Sequence, residues 1–194
     1  MIHTDYIRTV LERVEGKGIH KGYVPCDKAT GKPLGVSGVT IGTGLDLGQQ
    51  TRASLEAMAL PVPLVELLTP YLGAKREEAV YLLARQPLTL TAQAVAALDA
   101  AVHAKYIAEA ATIFGEGFAR APKEVQAVAV SLHFQFGMPY RKTSPALARA
   151  WVQMQEGQYA EAAETLRDPE GWSESHRRYL KRRGYEASLL ESVA

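Results

Sequence analysis

The sequence predicts an α+β fold, with a small antiparallel β-sheet lobe beside a larger helical lobe. Two textures of the chain predict it. Between Gly22 and Gly48, seven glycines and two prolines interrupt short β-branched runs, which is the pattern of strands and tight turns. From Thr51 onward, apolar residues recur at helical spacing and prolines punctuate them. A third observation sets the scale. A chain of 194 residues, 47% of them hydrophobic, buries roughly 70% of its unfolded surface and needs neither disulfides nor a structural metal. One domain is expected over residues 1–194, with an N-terminal lobe at about 1–72 that carries the hairpin region 22–48, and a helical lobe at 73–194.

The first element is an amphipathic helix. Ile7, Val10, Leu11 and Val14 fall on one face, Thr4 or Asp5 is placed to cap its start, and Gly16 and Gly18 end it. Strands are expected at Tyr23–Cys26 and Val36–Ile41, around a turn at Asp27-Lys28-Ala29-Thr30-Gly31. A sheet this small is not stable by itself, so it must pack on helices. Those helices are expected at Thr51–Ala59, Pro63–Tyr71, Lys75–Ala84 and Thr91 to about Phe114. Four more follow at Pro122–Phe136, Ser144–Glu156, Tyr159–Leu166 and Ser173–Leu190. The alanine-rich stretch 92–111 suits close packing in the centre of a bundle.

Composition removes several function classes. With 22 basic and 21 acidic residues the formal net charge is +1, so the basic excess of a broad nucleic-acid footprint is missing. The run His176-Arg-Arg-Tyr-Leu-Lys-Arg-Arg183 is basic, and its default reading is a solvated helix face. The five histidines are scattered without metal-ligand spacing, so no metal site and no cofactor are expected. The single cysteine, Cys26, reads as structural. The first sixteen residues lack an uninterrupted apolar core, so no signal peptide is expected. The stretch 89–104 is too polar to supply the ~20 apolar residues of a membrane span.

One constellation carries chemistry. Glu15 ends the first helix, at the pole of the helix dipole that disfavours negative charge. Downstream lies Gly38-Val-Thr-Ile-Gly-Thr-Gly-Leu-Asp-Leu-Gly48, which holds Thr40 and Asp46 among glycines that let backbone approach a sugar closely. Two carboxyls flanking a turn, with a hydroxyl between them, are the ingredients of a glycosidase. One acid protonates the leaving oxygen while the opposite carboxylate polarises water. Read without chemistry, Glu15 is a surface glutamate and Asp46 caps the backbone amides that follow it.

These residues resemble a known family. A helix ending in Glu-Gly, followed by a glycine-rich hairpin with Val-Thr-Ile-Gly-Thr-Gly, looks like the T-even phage lysozymes. The fuller run Ser37-Gly-Val-Thr-Ile-Gly-Thr-Gly-Leu-Asp-Leu-Gly-Gln49 is closer to the lysozyme domain of pesticin-type bacterial toxins. Ser131-Leu-His-Phe-Gln-Phe-Gly137, Ser144-Pro-Ala-Leu-Ala148 and Gln158-Tyr-Ala-Glu-Ala-Ala163 are similar to the phage-lysozyme C-terminal lobe. The resemblance implies a lysozyme-like α+β fold and a muramidase that cleaves the β-1,4 bond between N-acetylmuramic acid and N-acetylglucosamine.

Carried over by residue, Glu15 matches the general acid and Thr40 the threonine that helps place water. The second carboxylate matches Asp46 in the pesticin-type pattern. In the T-even pattern it precedes the threonine, where Asp27 is the only candidate, although its turn sequence accounts for Asp27 without chemistry. Gln135 matches a cleft-facing glutamine that contacts saccharide; read alone it is equally a helix-surface glutamine. Phe134, Phe136, Trp151 and Trp172 are expected to fill the core. The T-even enzymes invert, which implies carboxyls roughly 6.5–9.5 Å apart.

The expected partner is peptidoglycan glycan, with no nucleic acid and no membrane, and the chain is expected to be a monomer. It would be made in the cytoplasm and reach the cell wall after holin release, as an endolysin, or by an injection machine, as an effector paired with an immunity or inhibitor protein. The competing readings are a lytic transglycosylase, which needs the acid alone, and a lysozyme-fold binding module without activity.

Overall fold

The computed structural model describes residues 1–137, 144–170, 172 and 179–194. In chain order its elements are α1 (Thr4–Glu15), β1 (Ile19–Tyr23), β2 (Thr40–Gly42), β3 (Leu45–Asp46), α2 (Arg52–Ala57), α3 (Val62–Leu68) and α4 (Arg76–Arg85). Then come α5 (Ala92–Phe114), α6 (Lys123–Phe136), α7 (Pro145–Gln155), α8 (Tyr159–Arg167) and α9 (Leu180–Glu191). The α+β class expected from the sequence is the class observed. The chain clusters into two units, Glu15–Lys105, and Met1–Val14 with Tyr106–Ala194.

Long-range pairing holds the first of these units together. The segment after residue 72 is tied to the sheet: Lys75 bridges Gly38, Thr89 bridges Lys21, and the Gly22 amide donates to the Leu88 carbonyl at 2.9 Å. At the other end, Ile7, Val10 and Leu11 of α1 are buried in a core built from α5 to α9.

In the sheet-bearing unit, β1, β2 and β3 pair antiparallel in that order. β1 lies at Ile19–Tyr23, earlier than the expected strand at 23–26, because His20, Lys21 and Gly22 find partners in the distant segment 88–90. The expected turn at Asp27–Gly31 is present, closed by Gly31 N–H to Asp27 O and by a bridge between Cys26 and Pro33. The second strand shortens to Thr40–Gly42 and turns back at once into β3. Among the helices, α2 carries a reciprocal capping box in which Thr51 and Ser54 each accept the other's backbone amide.

In the other unit, α1 begins at Thr4, and His3 rather than Thr4 or Asp5 takes the cap position; the His3 carbonyl accepts the Ile7 amide at 3.0 Å. The expected core aromatics are inside it. Trp151 and Trp172 are buried, and Phe134 and Phe136 pack against the same cluster. Ser144 caps α7 ahead of a proline at its first position. The helix expected at 173–190 is observed from Leu180, and positions 173–178, including His176, Arg177 and Arg178, lie outside the described residues.

In the rest of the basic run Lys181 is exposed, but Arg182 and Arg183 turn inward. Arg183 and Glu186 are fully buried and paired, and Arg182 reaches both Glu186 and Ser131. The Arg183 guanidinium lies over the rings of Phe136 and Trp172, at 5.3 and 5.6 Å from their centroids. Opposite charges and aromatic faces inside the core replace the water that a basic helix face otherwise seeks.

Candidate active site

The β2–β3 hairpin explains its own glycines. Ile41 pairs with Leu45 and Thr40 with Asp46, so side chains alternate between faces: Ile41 and Leu45 are buried, and Thr40 and Asp46 stand together on the opposite face. The turn between them needs left-handed backbone at Gly42 (φ 64°) and Gly44 (φ 110°), which glycine adopts without a Cβ clash.

Asp46 is clamped through a single oxygen. Its Oδ1 accepts the amides of Gly38 at 3.0 Å and Gly48 at 2.9 Å, while Oδ2 accepts no hydrogen bond from the described residues. Gly38 and Gly48 make the clamp possible by touching backbone to backbone. A Cβ on Gly38 would sit 2.5 Å from the Gly48 Cα, and one on Gly48 would sit 2.6 Å from the Ala74 carbonyl. The capping reading of Asp46 is thus realised, and it leaves the second oxygen available. Arg76 braces the approach to Gly38: held at φ 54°, it donates its amide to Ser37 O and its Nε–H to Gly35 O.

Thr40 is buried, with its hydroxyl 3.4 Å from the Gly38 carbonyl. On its other side it pairs with Tyr23 of β1. Tyr23, Thr40 and Asp46 therefore form one cross-strand row, with their side chains on one face of the sheet. The Tyr23 phenol has its pKa raised, first by burial, then by the charge of Asp46, then by that of Glu15. Both carboxylates act on the same hydroxyl. Glu15 is the last residue of α1 and is exposed, followed by Gly16 at φ 88°.

A second cluster fixes the hairpin tip. Asp99 of α5 accepts the Thr43 amide at 2.8 Å and the Thr43 hydroxyl at 3.1 Å, and that hydroxyl lies 3.3 Å from Nε2 of buried His103. The Asp99 carboxylate also fills the space of two missing side chains. A Cβ on Gly18 would lie 2.2 Å from its Oδ2, and one on Gly42 would lie 2.5 Å from its Oδ1. One carboxylate thus spaces the loop after Glu15 from the turn before Asp46. Neither Tyr23 nor Asp99 was among the residues expected to matter. The available signal for Asp99 was an Asp and a His four residues apart on an alanine-rich helix.

The other two sequence candidates are not members of this row. Asp27 Oδ1 accepts the Ala29 and Thr30 amides and the Thr30 hydroxyl, a closed turn that uses the carboxylate locally. Gln135 belongs to the other unit, on α6; its Oε1 accepts from Arg183 and its Nε2 is buried without a partner among the described residues. A groove of about 390 Å³, lined by Pro61, Leu64, Leu67, Thr89 and Ala94 among others, shares no residue with the row and is mostly apolar. Among the described residues no group of three or more His, Cys, Asp or Glu is arranged to hold a metal ion, and no helix is long and apolar enough to cross a membrane.

A family model described as "Pesticin: Bacterial toxin homologue of phage lysozyme, C-term" matches residues 3–160, which include α1, the sheet and α5 to α7. No curated protein matches the chain.

Proposed function

The chain belongs to the pesticin family of bacterial toxins homologous to phage lysozyme, and from that premise we propose that it hydrolyses the β-1,4 bond between N-acetylmuramic acid and N-acetylglucosamine. A lysozyme-like domain of this family implies peptidoglycan as substrate and glycoside hydrolysis as chemistry. The finer assignment rests on one observation: Thr40 and Asp46 are directly opposed on one face of the sheet, with Asp46 clamped by Oδ1 alone.

In the proposed reaction Glu15, protonated, donates to the glycosidic oxygen as the bond to the anomeric carbon breaks. Asp46 accepts, through Oδ2, a proton from the water that attacks the opposite face of the sugar, and the Thr40 hydroxyl helps hold that water. Attack from the far side inverts the anomeric centre. The reaction consumes one water per bond and leaves a reducing N-acetylmuramic acid end. The proposal gives no step to Gln135 or to Asp27. It extends to an antibacterial role, with cell-wall glycan reached through a delivery machine or a holin and an immunity or inhibitor protein protecting the producer.

Purified peptidoglycan treated with wild type, Glu15→Gln and Asp46→Asn tests the assignment. Wild type should release reducing ends, and each variant should lower that rate by about 10²- to 10⁴-fold. Anhydro-muramic ends would instead make the protein a lytic transglycosylase. A wild type that binds the wall without cutting it would make it an inactive binding module.

A further inference from the structure

The cross-strand row has a third member to which the two-carboxylate scheme gives no role. We infer that Tyr23 is a positioning residue of the same site, whose phenolic hydroxyl, with the Thr40 hydroxyl and Asp46 Oδ2, forms a three-point seat for the attacking water. This inference rests on the muramidase reading and adds a residue to it.

Three observations carry it. First, the ladder pairs Tyr23 with Thr40 and Thr40 with Asp46, so the phenol rises from the same face as the other two side chains. Tyr23 and Asp46 stand two strand spacings apart, roughly 10 Å between backbones, and a tyrosine is long enough to lean across a threonine toward that gap. Second, burial and then the two carboxylates raise the pKa of the phenol. The charges of both Asp46 and Glu15 act on it, and that of Asp46 acts more strongly. Third, Tyr23 is 39% exposed although it belongs to a paired strand, so its ring borders solvent from which water can enter.

The chemistry fits the position. A neutral phenol both donates and accepts a hydrogen bond. It can accept from a water whose other proton points to Asp46 Oδ2, which fixes the oxygen lone pair toward the sugar. A charged side chain at this place would change the balance between the two carboxylates; a phenol orients without doing so.

Tyr23→Phe tests the inference, because it removes the hydroxyl and keeps the ring. With soluble, uncrosslinked glycan strands as substrate, we expect kcat to fall about tenfold to hundredfold while KM stays within about twofold and the melting temperature is unchanged. A raised KM with unchanged kcat would make Tyr23 a sugar contact and overturn the inference, as would full activity in the variant. If wild type itself cuts no glycan, the muramidase reading falls and this one with it; an active wild type beside a fully active Tyr23→Phe overturns only the water seat. A second measurement needs no activity. In tyrosine ¹³Cζ NMR, with the Tyr23 resonance identified by its loss in Tyr23→Phe, Asp46→Asn should move the phenol titration to lower pH, since a negative neighbour is removed. An unmoved titration overturns the geometry on which the seat depends.

Discussion

Two turns in the sheet-bearing unit each hold an aspartate by one oxygen, and they put it to different uses. At 27–31, Asp27 Oδ1 closes on Ala29 and on both the amide and the hydroxyl of Thr30, all within three residues. At 38–48, Asp46 Oδ1 gathers amides from Gly38 and Gly48, ten residues apart, and the threonine beside it comes from a neighbouring strand. The first aspartate organises only itself. The second is locked into a sheet whose ladder pairs it with Thr40 and, one strand further, pairs Thr40 with Tyr23. A glycine-rich turn with an acid is thus not a site by composition; in the proposed reading the strand register makes it one.

The most direct way to break this comparison is on activity. Asp46→Asn should cost about 10²- to 10⁴-fold in glycan hydrolysis, while Asp27→Asn should stay within about twofold of wild type. If Asp27→Asn is the crippled variant, the T-even placement of the second carboxylate is the right one.

The next effect is steric. Gly38→Ala should lose about 3 kcal/mol in urea denaturation, because its Cβ meets backbone atoms at 2.5–2.6 Å that cannot move aside without opening the Asp46 clamp. Gly31→Ala, with nothing near its Cβ but φ at 68°, should lose only about 1 kcal/mol.

Thr43→Val tests the anchor behind the hairpin. It removes the hydroxyl shared by Asp99 and His103, and a loss of about 1–2 kcal/mol is expected. Activity should fall with it if spacing of the Glu15 loop from the hairpin depends on that anchor.

The smallest effect is on acid stability. The Thr30 hydroxyl, then its amide, holds the Asp27 carboxyl below the usual range. A depressed folded value stabilises the protein above the unfolded value, about 3.9, and the gain is lost as pH falls through the folded one. The gap in melting temperature between wild type and Asp27→Ala should therefore be open at neutral pH and close in strong acid.

What could be read from sequence was local. The end of α1 at Glu15, the turn at Asp27, the burial of the tryptophans and the proline-marked helix starts follow from periodicity and turn chemistry within a few residues. Thr40 and Asp46 were legible as a pair through the pesticin-type run, in which the acid follows the threonine by six residues with Gly42 and Gly44 between them. Tyr23 was not, because β1 is set by pairing with residues 88–90, far along the chain. Asp99 was hidden in the same way, inside a helix whose alanines explain it as packing. The burial of Arg183 also needed the fold, since its partners Glu186, Phe136 and Trp172 come together only when α6 and α9 pack.

The single-oxygen clamp on Asp46 has a bearing on isosteres. An asparagine can enter the clamp carbonyl first and satisfy both glycine amides, which places its NH₂ where Oδ2 stood. The hairpin would keep its shape while one atom reverses polarity, from proton acceptor to proton donor. A water in that place would be turned around, its lone pair toward the protein and its hydrogens toward the sugar. Asp46→Asn is thus less a deletion than an inversion of a single contact, whereas Asp46→Ala would also release Gly38 and Gly48 from each other.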